Sequence, residues 1–303
     1  MLTYTQQSDY PVAKVDVILT NERGEVLLTR RAVEPFKDFW DIPGGTLEYT
    51  DASAEEGARR EIREELGIEC ALTRLVGVYS DPARDPRYHI VALIYAGVIK
   101  EGAIHLGPHT TEYQWSALDA LPADIGFDHR IILEDYKKDA RARGPFKRRM
   151  FENFKNTQPE YYDAKFFKKV RLAADALIIK NESILLARRC KEPFLGKWDI
   201  PGGHIFVGET MEQCLAREVY EELGVQCKVG ALFGVYSDRG RDPRAASAVA
   251  FYFVELLSEQ FEENIEVNEF RYFPLDNLPP QEEVAYHNHI VLEDVRDYFS
   301  KKQ

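Results

Sequence analysis

Glu61, Glu64 and Glu65 in RREIREELG (59–67), and Glu218, Glu221 and Glu222 in AREVYEELG (216–224), place three carboxylates at i, i+3 and i+4, twice in one chain. On a helix that spacing gathers them on one face, where each like-charged pair costs about a few tenths of a kcal/mol. A wetted surface on which Arg60, Arg63 and Arg217 offset the charge would account for one such segment. It does not account for the same acids returning behind the same turn, FWDIPGG (39–45) and KWDIPGG (197–203). Hard divalent cations take oxygen ligands, and magnesium combines a few carboxylates with waters and substrate phosphates. Three carboxylates on one face can hold such ions against a pyrophosphate, and a bound metal lowers the pKa of an attacking water. The glycine pair lets backbone approach a ligand closely, so carbonyls at Gly44 and Gly202 join the candidate metal ligands.

The elements that must position these acids are also written twice. GVYSDPARDPR (77–87) returns as GVYSDRGRDPR (234–244), LLTRRAVEPF (27–36) as LLARRCKEPF (185–194), and EYQWSALDALP (112–122) as EFRYFPLDNLP (269–279). The offset is 158 residues at the glycine pair and 157 at the glutamates, so the first copy carries one extra residue between them. Ser53 with Glu56, and Thr210 with Gln213, fit capping boxes, while Gly67 and Gly224 fit helix C-caps. Ala58, Ile62 and Leu66, matched by Leu215, Val219 and Leu223, form the buried stripe of the helix. VDVILT and ALIIK read as strands with EVLLTRR and SILLARR as hairpin partners. Further strands follow at LVGVYS and HIVALIYAGVI, and at ALFGVYS and AVAFYFVEL. A second helix closes each copy near DHRIILEDYKK and HNHIVLEDVRDYF. Strands and helices mix without a βαβ rhythm, which predicts an α/β (α+β) chain of two tandem α/β/α sandwich domains with mixed sheets. The boundaries read as 1–140 and 166–303, joined by a basic linker at 141–165.

At 303 residues the chain fits two domains of about 150 residues. No run of 18 apolar residues and no basic-then-apolar N-terminus is present, so no membrane span or secretory signal is expected. Four cysteines (Cys70, Cys190, Cys214, Cys227) without metal spacing suggest a reduced, cytoplasmic setting. The net charge of −12 argues against a general nucleic-acid binder. Residues 137–171 depart from that balance with 12 Lys and Arg against 4 Asp and Glu. They read as a solvated linker, with a phosphate- or RNA-contacting strip as the alternative.

The segment GGHIFVGETMEQCLAREVYEELGV (202–225) resembles the Nudix hydrolase signature, G-x5-E-x7-R-E-U-x-E-E-x-G-U with U apolar. Gly203, Glu209, Arg217, Glu218, Val219, Glu221, Glu222, Gly224 and Val225 satisfy every position. The first copy (box 44–68) is similar through Gly45, Arg60, Glu61, Ile62, Glu64, Glu65, Gly67 and Ile68. It departs once: eight residues rather than seven separate Asp51 from Arg60, and Ala52 stands in the register of the first acid. The expectation is that Asp51 reaches the same spot from a longer loop.

The resemblance implies metal-dependent hydrolysis of a nucleoside diphosphate linked to another group. The glutamates would be metal ligands for magnesium, with manganese as the alternative, and one of them would be the base. Arg60 and Arg217 would orient them. Glu112 and Glu269 are candidate loop acids for the base. VDVIL, EPF, SDPARDPR and GFDHRIILED look most like the ADP-ribose pyrophosphatase branch. Arg84, Arg87, Arg241 and Arg244 are the candidate substrate ligands, because guanidinium suits phosphate; the competing reading is a turn with internal ion pairs. Tyr79, Tyr236, Phe36 and Phe194 are candidates to stack on a base, with core packing as the competing fate. His129 is a weaker pocket candidate, since the second copy has Asn288 there. The partner implied is a small nucleotide diphosphate, with no membrane involved. Many relatives are homodimers, so the tandem implies an internal pseudo-dimer or a further homodimer. A regulator that binds an ADP-ribose-type ligand, and an RNA-end decapping or RNA-binding role, are the alternatives.

Overall fold

The computed structural model describes residues 10–139, 169–261 and 266–301, and the basic linker at 141–165 lies outside them. The chain divides into two compact units, one per sequence copy.

The first unit runs β1 Val12–Thr20, β2 Val26–Arg31, β3 Trp40–Asp41, β4 Gly44–Thr46, α1 Ala54–Leu66, β5 Glu69–Tyr79, β6 Ile90–Glu101, β7 Thr110–Ser116 and α2 His129–Asp139. β1 is buried along most of its length because it is central, and Lys14 and Asp16 are the charged residues on its otherwise largely apolar faces. It pairs parallel with β6 and antiparallel with β2 and β4, and the sheet order is β3-β2-β1-β6-β5 with β7 beside β2. This mixed sheet matches the expectation. Ile18, Leu28, Ala92 and Ile94 pack with Ile132 and Leu133 of α2. Side chains alternate along a strand, so Val15, Val17 and Leu19 face the other way. α1 buries Ala54, Ala58, Ile62 and Leu66 and packs on β1, β4 and β5. The expected buried stripe is thus the one used.

The second unit repeats the order with β8 Arg171–Leu177, β9 Ile179–Lys180, β10 Ser183–Arg189, β11 Trp198–Asp199, β12 Gly202–His204, α3 Met211–Leu223, β13 Cys227–Tyr236, β14 Ser247–Leu256, β15 Val267–Pro274 and α4 Asn288–Ser300. One difference concerns the expected strand ALIIK, which divides at Ile178 between β8 and β9. The first copy turns through five residues, Asn21–Glu25, and a bridge Thr20↔Val26 keeps its strands in one sheet. The second turns through Asn181 and Glu182 alone, both left-handed (φ 46° and 56°). Such two-residue turns impose a strong local twist. Here β8 pairs with β14 and β12, whereas β9 pairs with β10, giving two four-stranded sheets.

The caps hold α1 and α3 in register with the glycine pairs. Thr210 and Gln213 form the full reciprocal box, and Gly67 and Gly224 close the helices at φ 67° and 72°. Ser53 accepts from the Glu56 amide, but Glu56 turns to Arg59 (3.3 Å) instead of reaching back, so the first box is half made. β4 and β12 lie so close to their neighbours that a Cβ on Gly44 or Gly202 would run into the Val15 or Ala174 carbonyl. Their φ values of 159° and 153° are also glycine territory.

Candidate metal centres

Close approach of β4 to β1 brings the glycine amide within reach of the glutamate helix. The Gly44 amide donates to Glu65 Oε2 (2.9 Å), and Thr110 Oγ1 donates to Glu65 Oε1 (2.8 Å). The Glu61 carboxylate lies over Gly45, in the space a Cβ there would take. In the second copy the Gly202 amide donates to Glu222 Oε2 (3.0 Å) and Glu218 covers Gly203 in the same way. The third acid of each set stands apart: the Glu64 and Glu221 side chains are 61% and 56% exposed. Two carboxylates per copy therefore converge on the glycine turn, and one faces solvent beside them.

An arginine organises each set. Arg217 grips Glu209 with Nε (2.6 Å) and Nη2 (3.0 Å), donates to the His204 carbonyl, and reaches Glu218 (2.7 Å) and Glu221 (3.0 Å) with Nη1. Arg60 grips Asp51 through Nε (2.8 Å) and Nη2 (2.9 Å), donates to the Thr46 carbonyl, and reaches Glu61 (2.9 Å) and Glu64 (3.4 Å). Asp51 thus takes the place of Glu209. The turns agree in detail: the amides of Asp51 and Glu209 donate to the carbonyls of Glu48 and Phe206, whose amides return to the two carboxylates. The extra residue is Ala52, between the acid and the N-cap. A shorter side chain held nearer the helix needs room, and Gly57 supplies it, since a Cβ there would press on Asp51 and Leu47. The second copy has Cys214 at that position, donating to the Gly203 carbonyl at 3.6 Å.

Sequence reasoning missed the acids behind the turn. Asp16 is buried in β1 and neither of its oxygens has a hydrogen bond. Asp41 is buried and held by Thr29 (2.7 Å) and Arg31 (2.8 Å). Asp175 and Asp199 are their counterparts, and Asp199 is held by Arg189 (2.7 Å) and Asn288 (2.8 Å). The available signal was a lone aspartate in an apolar strand at VDVIL, and another in WDIPGG.

Burial is the first cause of every shift here, and it favours the neutral form of a carboxyl. It raises Asp16, Asp41, Glu61, Glu218 and Asp199. Glu65 rises to about 7 through burial and then the nearby Asp41 charge. Glu222 and Asp175 are pushed well up, with Asp199 as the leading charged neighbour of each. His129 is pushed well down by burial and then by Arg84, so it is neutral. Its Nδ1 accepts the Ile42 amide (2.9 Å), which leaves the proton on Nε2, 3.9 Å from Asp16 Oδ2.

The other sequence candidates go elsewhere. Arg84 is buried and paired bidentately with Asp128 (2.9 and 2.7 Å). Arg241 is buried against the Tyr236 and Phe251 rings and donates to Asn288. Arg87 and Arg244 pair with Asp85 and Asp242 inside the RDPR turn but keep 36% and 34% of their side chains exposed. Tyr79 and Tyr236 donate to Asp135 (3.3 Å) and Asp294 (2.8 Å), tying β5 to α2 and β13 to α4. Glu112 and Glu269 lie on strands β7 and β15 rather than loops, tied to Arg30 (3.2 Å) and Arg188 (2.9 Å). Phe36 and Phe194 are half-buried in left-handed backbone (φ 62° and 69°), stacked edge-on against Phe127 and Tyr286 at 4.8 Å. A bulky residue at positive φ is a backbone outlier of the kind that collects at functional sites.

The donor set fits a magnesium-type ion. Among the described residues no three His, Cys, Asp or Glu groups close on one point. A converging glutamate pair matches an ion that keeps several waters and takes phosphate oxygens as further ligands. The Asp16 oxygens, without a hydrogen bond and 3.9 Å from Lys14 Nζ, and the raised carboxyls mark a centre of excess negative charge, which a dication would balance.

Comparison with known proteins agrees with the repeat. The NUDIX domain family matches residues 11–136 and again 169–293. An ADP-ribose pyrophosphatase of Methanocaldococcus jannaschii is 35% identical over 129 residues, 43% of this chain and 75% of that protein. A putative 8-oxo-dGTP diphosphatase of Bacillus subtilis is 33% identical over 125 residues, 41% of this chain and 79% of that protein. An ADPR responsive transcriptional repressor of Acinetobacter baylyi is 31% identical over 141 residues, 44% of this chain and 56% of that protein.

Two outcomes are expected. Raised carboxyls keep protons in the folded chain that the unfolded chain has released, so metal-free protein should lose stability as pH rises from 4.5 to about 7. Melting temperatures between pH 4.5 and 8 check this, and added Mg²⁺ should recover most of the loss at the upper end. Asp51→Ala frees Arg60 to turn fully onto the glutamates. It should weaken divalent-ion binding to the first copy by about 10- to 100-fold, read by calorimetry.

Proposed function

The chain belongs to the Nudix family in both halves, and we propose that each half is a metal-dependent pyrophosphohydrolase acting on nucleoside diphosphates linked to a second group, ADP-ribose foremost. The observation that carries this reading is the arginine-centred network, complete in both copies despite the shifted acid: Arg60 with Asp51 and Glu61, Arg217 with Glu209 and Glu218. The ADP-ribose preference rests on the pyrophosphatase and repressor relatives.

Glu61 and Glu65, and Glu218 and Glu222, would hold Mg²⁺ or Mn²⁺ with help from the Gly44 and Gly202 carbonyls. Such an ion, when bound, neutralises the diphosphate and lowers the pKa of a water for attack on phosphorus. Arg60 and Arg217 fix the glutamate rotamers, so the charge of the site is organised before substrate arrives. Glu64 and Glu221 stand at the solvent edge, where each can take a proton from water. Arg87 and Arg244 have exposed guanidinium to offer a phosphate, while Arg84 and Arg241 brace the loop from inside. Phe36 with Phe127, and Phe194 with Tyr286, offer ring faces to a base.

The same proposal includes two domains, 1–140 and 166–303, joined by the linker 141–165 and paired as an internal pseudo-dimer. Four free cysteines support a reducing compartment such as the cytoplasm. No helix among the described residues is long and apolar enough to cross a membrane. A regulator that binds ADP-ribose without cleaving it is the second reading, favoured by the repressor relative and opposed by the intact networks.

A Mg²⁺-dependent phosphate-release screen over nucleotide sugars, dinucleotides, nucleoside triphosphates and capped RNA tests this. ADP-ribose should be cleaved by the wild type. Glu65→Gln and Glu222→Gln should each leave one working site, and the double variant should lose about 10²- to 10³-fold. Binding of ADP-ribose with no release from any substrate would establish the regulator instead.

A further inference from the structure

The two copies keep the same glutamates, arginine and aspartates about the glycine turn, and one of their differences falls at a pair of facing strand positions. Lys14 of β1 stands opposite Thr46 of β4, whereas Ala173 of β8 stands opposite His204 of β12. Lys14 precedes Asp16 by two residues and so shares its face of the strand. Its Nζ lies 3.9 Å from Asp16 Oδ1 and 6.0 Å from the centre of the Phe127 ring, on a side chain 18% exposed. Its ion pair with Asp16 is long and its side chain makes no hydrogen bond among the described residues, so its N–H donors are open to ligand oxygens.

Lys14 therefore stands between the carboxylates at the turn and the Phe36–Phe127 ring pair. It is the leading cation acting on Asp16 and a lesser one acting on Asp41, Glu61 and Glu65, each of which it draws toward the charged form. The second copy balances its acids from the opposite side. There the cations acting on Asp175 are Arg241, buried and bonded to Asn288, and then Arg189, paired with Asp199. The matching Arg84 of the first copy is already closed by its ion pair with Asp128. His204, at the position of Thr46, is held neutral by burial and then by Arg171, with a pKa near 4. Arg171 and Lys191, which replace Val12 and Val33, act on His204 instead, so the second copy sets these cations about the histidine and leaves the strand position of Lys14 to Ala173; Lys191 is also paired with Glu266.

We propose that Lys14 is a positioning residue of the first site that binds the diphosphate of the nucleotide substrate, a contact the second site lacks, so that the two sites divide substrates by charge. A nucleoside diphosphate spanning the carboxylates and the ring pair passes Lys14 on its way. The first site then holds the more anionic substrates more tightly, and the second relies on Arg244, the cations about His204 and the ring pair. The assignment rests on the diphosphate reading of the site but not on turnover.

Calorimetric titration with ADP in Mg²⁺ tests it, because binding is read whether or not a ligand is cleaved. In a Glu222→Gln background, Lys14→Ala should weaken ADP at the first site about tenfold and flatten the salt dependence of binding. Lys14→Arg should restore most of both, which a merely structural loss would not allow. In a Glu65→Gln background, Ala173→Lys should tighten ADP at the second site. Unchanged ADP affinity and salt dependence in Lys14→Ala would overturn the proposal, and so would failure of the wild type to bind ADP. Intact ADP binding without hydrolysis of any substrate would instead remove the catalytic reading and leave this one standing.

Discussion

A carboxylate taken out of water costs several kcal/mol unless something neutralises it, and each half of this chain moves four of them toward one turn. Asp16, Asp41, Glu61 and Glu65, or Asp175, Asp199, Glu218 and Glu222, come from two strands and a helix that meet only because β4 and β12 lie hard against β1 and β8. The glycine pair makes that meeting sterically allowed. Its first member has backbone behind it and its second a glutamate above it. Arginine supplies part of the compensation, and a dication with its waters would supply the rest. Folding and the proposed function would therefore share one constraint: the electrostatic cost carried by the metal-free fold would be the source of the site's affinity for a dication.

Two copies in one chain act as an internal control on which features that constraint needs. Both keep the glutamate pair, the arginine and the acid that orients it. The means vary together. Asp51 with Ala52 and Gly57 replaces Glu209 with Cys214, since a shorter acid must sit closer to the helix. Thr29 holds Asp41, whereas Asp199 has Ala187 across from it and is held by Asn288. His129 accepts the Ile42 amide, whereas the Ile200 amide turns to Asp199 (3.0 Å). Thr110 supports Glu65 where the second copy has Val267. Variation confined to supporting residues, around an unchanged centre, is what two sites with one chemistry and different ligand preferences would show.

Much of this was legible in the sequence, for physical reasons. A repeated helix with caps at both ends and a period-four stripe fixes which face is buried, but not that Glu64 and Glu221 stand in solvent while their two companions lie at the glycine turn. The family signature then identifies Arg60 and Arg217 as their organisers. Tertiary pairing was not legible. Nothing local says that Asp16 loses its water, since that depends on β6 and β4 flanking it on either side. The first arginine of each RDPR turn illustrates the same limit, because the partners of Arg84 and Arg241, Asp128 and Asn288, lie 44 and 47 residues away. The half-made cap at Ser53 and the strand broken at Ile178 were likewise decided by neighbours, Arg59 in one case and a two-residue turn in the other.

The central claim is that each glycine turn with its glutamate pair is a divalent-ion site. Counting bound Mn²⁺ by electron paramagnetic resonance on the full chain addresses it without any assumption about substrate. The account predicts binding at both copies in the wild type, loss of the first copy's ions in Glu65→Gln, loss of the second's in Glu222→Gln, and none bound tightly in the double variant. Undiminished binding in the double variant, or no tight binding in the wild type, would contradict it.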